Sequence, residues 1–275
     1  MSEAAGPDPV LLAEHTWQEV ATFAEEGRRV IIPIGSTEAH GPHLPIDVDT
    51  HSADTVARML AARIDALVAP VIPYSYAQMW MGFPGTMSLT PSTFIDVLSE
   101  ISLSLVKHGF RRIVLLNGHR PNGTSVDVAA RHVVDQVDTD EPLEISALSY
   151  WEPGAARVHA IRKSAVGGMG HACELETSTH LWSRPHLVHM DRLEGVDTPL
   201  VGWDLVAPMP AARTYQVWPE AAAKDVAVFG DPSVASAESG EAFLEAIVGG
   251  LVDLFEGLDR GEGGTYAART EDDAD

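Results

Sequence analysis

The sequence predicts an α/β fold, a mostly parallel sheet covered by helices on both faces, and three observations predict it. Short apolar runs recur at residues 29–34, 67–72, 112–116 and 144–148, with the length and composition of strands buried on both sides. Stretches with helical spacing of apolar residues separate the runs, which is the alternation of β-α-β units. The runs also give way to glycine or to polar groups capable of chemistry, and open α/β sheets gather ligands beyond the carboxyl ends of their strands. The alternation leaves the strand order open.

Residues 1–10 read as a frayed end. Residues 16–26 carry Trp17, Val20 and Phe23 at helical spacing, and Gly27 reads as a stop. The first strand, 29–34, runs into Gly35 and a polar loop, after which Asp49 opens a helix with an apolar stripe of Val56, Leu60 and Ile64. The second strand, 67–72, precedes a loop at 73–85 rich in Tyr, Trp and Met. The clearest helix spans 89–109: Thr90 suits its N-cap, Pro91 its first position and Gly109 its end, with Phe94, Leu98, Ile101 and Leu105 inward. The third strand, 112–116, ends in Asn117-Gly118-His119, and the helix after it carries Val126, Ala130, Val133 and Val137. The fourth, 144–148, ends in Ser149-Tyr150-Trp151. Further helices are expected over 174–182 and 237–255, the latter with Phe243, Ile247, Leu251 and Leu254 inward.

At 275 residues the chain suffices for one large domain, placed at 1–256, with 257–275 a polar, Gly-rich, acidic tail expected to be disordered. No apolar stretch approaches the ~20 residues of a membrane span, and the start has no secretory pattern. A single cysteine, Cys173, excludes an internal disulfide and fits a cytoplasmic protein. Forty acidic against 18 basic residues give a formal charge of −22, which repels nucleic acid and anionic membranes and excludes both as partners. Acid excess with only three lysines further suggests adaptation to high salt.

The loop after the first strand concentrates the chemistry. Glu38, His40, His43, Asp47 and Asp49 follow Gly35 closely, and carboxylate plus imidazole is the ligand mix of Zn²⁺, Mn²⁺ or Fe²⁺. His119, directly after a buried strand, falls at the same sheet edge. His15, His108, His132, His159, His180, His186 and His189 read as surface groups, and His51 is ambiguous.

Five stretches resemble one family. Glu38-x-His40-Gly-Pro-His43-Leu-Pro-x-x-x-Asp49 is similar to the signature of the creatininase (creatinine amidohydrolase) family. Asn117-Gly-His119 with Asn122 resembles its second motif, and His171-Ala-Cys173-Glu174-Leu-Glu176-Thr-Ser its third. Met81-Gly-Phe-Pro84-Gly-Thr86 and Tyr150-Trp151 resemble its substrate-side stretches. The resemblance implies a creatininase-like fold and two divalent metal ions (Zn, Mn or Fe) sharing an activated water. Glu38, His119 and Asp49 would hold one ion, and His40, Asp49 and Glu174 the other, with Asp47 the rival of Asp49 as bridge. Glu174 would supply the carboxylate that family members of another type carry where this chain has Pro121. His171 is implied as the acid/base group with Glu176 beside it, His43 and Asn117 as residues behind the ligands, and Thr86, Met81, Tyr150 and Trp151 as substrate-binding. Cys173, where glycine is usual, reads as a small buried side chain.

The implied activity is hydrolysis of a C–N bond in a small cyclic amide or formamide, of the creatinine or formylamino-pyrimidine type. Peptide trimming in redox-cofactor maturation and a non-catalytic metal-binding subunit are the alternatives. The implied partners are a small-molecule amide substrate and further copies of the chain, in a hexamer.

Overall fold

The computed structural model describes residue 8 and residues 10–207 and 226–262. Most of the expected frayed start (1–7 and 9) and of the expected tail (263–275) lies outside the described residues. The main sheet holds four parallel strands, β1 (Val30–Ile34), β2 (Leu67–Val68), β3 (Arg112–Asn117) and β4 (Glu144–Ser149), in the order β2-β1-β3-β4. Helices α2 (Val48–Ile64), α3 (Pro91–Lys107) and α4 (Gly123–Gln136) make the three crossovers, and α1 (Trp17–Glu25) precedes them. From β1 the chain steps to β2 on one side and then crosses to β3 on the other. The reversal therefore falls between β1 and β3, where open α/β sheets form their crevice.

Side-chain alternation splits the core into two layers. Ile31, Val114 and Leu116 face one layer with Val56 and Leu60 of α2. Val30, Ile32, Ile34, Ile113 and Leu115 face the other with Phe94 and Leu98 of α3 and Val126 of α4. Both faces of β1 and β3 are buried, which is why their sequences read as unbroken apolar runs. The first layer is closed by α7 (Ala237–Asp259), which buries Phe243, Ile247, Leu251 and Phe255.

Several boundaries differ from expectation. The second strand is cut to Leu67–Val68 because Pro70 has no N–H for the ladder; pairing resumes only at an isolated Ile34–Ile72 bridge. In α3, Thr90 caps as expected, accepting from the Thr93 amide at 3.3 Å. Its buried stripe, however, runs Phe94, Leu98, Ser102, Val106 at a strict spacing of four, leaving Ile101 exposed. Trp17 of α1 is likewise exposed. α7 continues to Asp259, so the first residues assigned to the tail are helical.

The later third adds elements the pattern did not signal. These are α5 (Ala155–Ile161) and a two-stranded antiparallel pair of β5 (Met169–His171) with β6 (Phe229–Gly230). They lead into α6 (Glu174–Ser183), close to its expected span. Among the described residues, no helix is long and apolar enough to cross a membrane.

Candidate metal centre

Two glycines bring the exits of β1 and β3 onto the first turn of α2. A Cβ on Gly35 would lie 2.3 Å from Thr50 Cα, and one on Gly118 would lie 2.7 Å from Asp49 O. Only residues without a side chain permit so close an approach. Asp49, in that first turn, thereby meets the loop after β1 and the turn after β3. Asn117 builds the turn: its Oδ1 accepts from the His119 amide (3.0 Å), and its Nδ2 donates to His119 O (2.8 Å) and Ser149 Oγ (3.2 Å).

Each imidazole at this edge is tied at one nitrogen to a backbone carbonyl. His40 Nδ1 contacts Glu38 O (3.2 Å), His119 Nε2 contacts Tyr76 O (3.1 Å), and His171 Nε2 contacts Ala39 O (2.8 Å). An imidazole donating one N–H this way keeps the lone pair of its other nitrogen free, the arrangement of metal-ligating histidines. The free nitrogens meet carboxylates: His40 Nε2 is 3.3 Å from Asp49 Oδ1, His119 Nδ1 is 2.9 Å from Asp49 Oδ2, and His171 Nδ1 is 3.7 Å from Glu38 Oε1. Three overlapping triads result, each with its donor atoms within 4.8 Å of one another: Glu38/Asp49/His119, His40/Asp49/Glu176 and Glu38/His40/His171.

The donor set fits a divalent cation. Among the described residues, Glu38 Oε1, Asp49 Oδ2 and His40 Nε2 are buried without a well-formed hydrogen bond, and no Lys or Arg forms an ion pair with Glu38, Asp49 or Glu176. Buried carboxylates faced by imidazoles alone are costly unless a cation neutralises them.

The electrostatics express the same need. Burial pushes the Glu38 carboxyl up to about 7, against the pull of His119. Burial would also raise Asp49, but His40 and His119 together hold it well below the usual carboxylate range. His40 is lifted well above an ordinary imidazole, because Asp49 and then Glu176 outweigh its burial. His171 goes the other way, held neutral by burial and by the adjacent His40.

Two of the expected acidic groups lie outside the three triads. Glu174 is fully buried away from the triads: its Oε1 accepts from the Lys163 amide (2.9 Å), its Oε2 from the Ser164 amide (2.9 Å) and Ser164 Oγ (2.6 Å). Glu176 lies nearer the triads, with Oε1 3.8 Å from His40 Nε2. Asp47 is instead bound by Arg184 at 2.8 and 3.0 Å. His180 is no surface group: it is buried, with Nδ1 on Glu176 O (2.9 Å) and Nε2 near Arg184 Nη2 (3.1 Å). His15 is mostly buried against Phe23, and His51 sits on Ser183 Oγ at 2.9 Å. His43 ties the ligand loop to α6 through Thr177 Oγ1 at 2.9 Å. Cys173 is buried as expected.

The four substrate-side candidates separate. Thr86 is buried, and its Oγ1 accepts from the Ala39 amide (3.2 Å), bracing the peptide whose carbonyl holds His171. Tyr150 is buried; burial and then Glu176 and Asp49 push its hydroxyl well above its ordinary pKa, which puts it beside those carboxylates. Trp151 stands edge-on to Tyr150 in the core, while Met81 is exposed on its loop. Sequence reasoning missed Trp80. Its buried indole stacks on His171 at 4.2 Å and 15°, and the opposite imidazole neighbour is His40 at 4.1 Å. An aromatic in the Met-rich loop was the only signal for it.

Comparison with known proteins matches this geometry. The family profile Creatininase, described as creatinine amidohydrolase, matches residues 13–255. The chain is 33% identical to creatinine amidohydrolase from Pseudomonas putida over 261 residues, 89% of this chain and 95% of that one. It is 33% identical to mycofactocin precursor peptide peptidase from Mycolicibacterium smegmatis over 230 residues, 82% of this chain and 83% of that one. A solved structure of creatininase described with Mn superposes with a TM-score of 0.75 at 29% identity, over 91% of this chain and 99% of that one. The profile match over residues 13–255 and the 33% identity to creatinine amidohydrolase over 89% of the chain, with a buried carboxylate–imidazole cluster at the sheet's switch point, show that the chain belongs to the creatininase family of metal-dependent amidohydrolases.

Proposed function

We propose that the chain hydrolyses a C–N bond in a small cyclic amide or formamide, using two divalent cations per subunit. One cation would be held by Glu38, Asp49 and His119. The other would be held by His40, Asp49 and a carboxylate of α6. The convergence of partnerless Glu38 Oε1, Asp49 Oδ2 and His40 Nε2 carries this reading. When bound, such cations supply Lewis acidity that ionises water and polarises a carbonyl. The chain's own residues do the remaining work. His171, with Nε2 committed to Ala39 O, takes a proton at Nδ1 and returns it to the departing nitrogen. Trp80 holds the face of that ring, and Thr86 and Asn117 fix the peptides that orient the imidazoles. Tyr150 offers a neutral hydroxyl beside the carboxylates. Manganese, zinc and iron all suit this donor set.

The direct test is turnover of creatinine and formylamino-pyrimidine substrates by Mn²⁺-, Zn²⁺- or Fe²⁺-loaded protein, with His171→Ala as control. Activity lost in the control supports the reading; no turnover by any loaded form, or turnover unaffected by His171→Ala, overturns it. A second reading, trimming of a peptide, is favoured by the likeness to the mycobacterial peptidase over 82% of the chain. Cleavage of a synthetic precursor peptide, with small amides untouched, would select it. We further propose a homo-oligomer, with hexamer the expected state by light scattering. Exposed Ile46, Tyr74, Met81 and Met87 support an assembly through apolar contacts.

A further inference from the structure

We infer that Glu176 is the third ligand of the second cation, and that Glu174 is a structural peg that takes no metal. The inference rests on the two-cation reading above and deepens it. Pro121 offers no donor, so α6 must supply the carboxylate, and two glutamates stand in its first turn. Residues two apart on a helix point about 200° from one another. One helix terminus can therefore aim only one of the two at the centre.

The hydrogen bonds say which. Both oxygens of Glu174 are taken by three donors of the 163–164 backbone and Ser164, at 2.6 to 2.9 Å. Withdrawing it to bind a metal would strip the buried Ser164 amide and the part-buried Lys163 amide of their acceptor. Those bonds fix the loop that Arg162 and buried Asp204 brace from the other side, at 2.7 Å. Glu176 divides its oxygens differently. Its Oε2 accepts from the Cys173 amide (3.3 Å) and lies 3.8 Å from Cys173 Sγ, while Oε1 faces His40 Nε2 at 3.8 Å. Together with His40 and Asp49 it forms a triad whose ligand atoms lie within 4.8 Å, a triad that Glu174 does not enter. Cys173 thus holds one oxygen and leaves the other for a single-oxygen bond to the cation.

Metal content decides the assignment without reference to turnover. Wild type, Glu176→Gln and Glu174→Gln are each saturated with Mn²⁺, desalted and measured by elemental analysis, with circular dichroism and melting curves as checks on folding. The expected counts are two ions in wild type, one in Glu176→Gln and two in Glu174→Gln, the last with a lowered melting temperature. If Glu176→Gln fails to fold, Glu174→Gln decides alone: two ions support the assignment and one overturns it. A folded Glu176→Gln that keeps two ions, or loses both, also overturns it. A single ion in all three proteins refutes the assignment and leaves a one-metal hydrolase standing, whereas no ion even in wild type removes the metal reading itself.

Discussion

Gly118→Ala tests whether the sheet edge must press against α2 for the centre to form. The new methyl would sit 2.7 Å from Asp49 O and 2.9 Å from Ala53 Cβ, both closer than side-chain carbons approach. Neither neighbour is a flexible tip: one is backbone and the other is the root of a side chain. The first turn of α2 must therefore retreat by several tenths of an ångström, carrying Asp49 away from His119 Nδ1, now 2.9 Å distant. Overpacking of this kind costs about 1–3 kcal/mol. At about 2–4 °C per kcal/mol for a domain of this size, the melting point should fall by roughly 2–12 °C. Metal affinity should fall by about 10–100-fold, as for disturbed ligand support elsewhere. Gly82→Ala is the control, since nothing lies within 4 Å of its added methyl. Melting curves and competition titration with a chelator of known affinity read both effects. Gly118→Ala that melts and binds like Gly82→Ala would refute the reasoning.

Three more outcomes are expected. Thr86→Val removes the acceptor of the Ala39 amide and should destabilise by about 1–3 kcal/mol. It should also lower kcat more than KM, because Ala39 O loses its grip on His171; an unchanged kcat would contradict that link. Burial lowers His43 to about 4 and His180 to about 3, so the folded protein binds fewer protons there than the unfolded chain. Their contribution is complete above the unfolded value near 6.5 and is lost as pH falls through it toward those numbers; a melting point constant from pH 7 to 4.5 would count against it. The charge of −22 predicts that added NaCl raises the melting point through screening, and a protein most stable in dilute buffer would exclude a salt-adapted surface.

What could be read from the residues followed from how local the cause was. β1 and β3 were legible because both faces are buried, and α3 because Thr90 and Pro91 mark its start within one turn. Gly35 and Asn117-Gly118-His119 announced the sheet edge for the same reason. β5 and β6, of three and two residues, are too short to show any period. That donors at 163–164 hold Glu174 while Glu176 lies beside His40 depends on helix geometry and packing that no motif records. Trp80 acquires its role only when β5, far along the chain, brings His171 under its ring. His180 looked like a solvent group because its partners, Glu176 O and Arg184, are set by the packing of α6 and not by composition.

The side chains of the triads come from the loop after β1, the first turn of α2, the turn after β3, and the β5–α6 junction. An ion held with His171 or Glu176 would rivet the first fifth of the polypeptide to its latter half, so capture there must wait until the β5–α6 junction has been synthesised and docked. Until then a nascent chain owns only the triad of Glu38, Asp49 and His119. Afterwards, parting the two halves would break that bridge, so an ion bound there would stabilise the mature protein against unfolding.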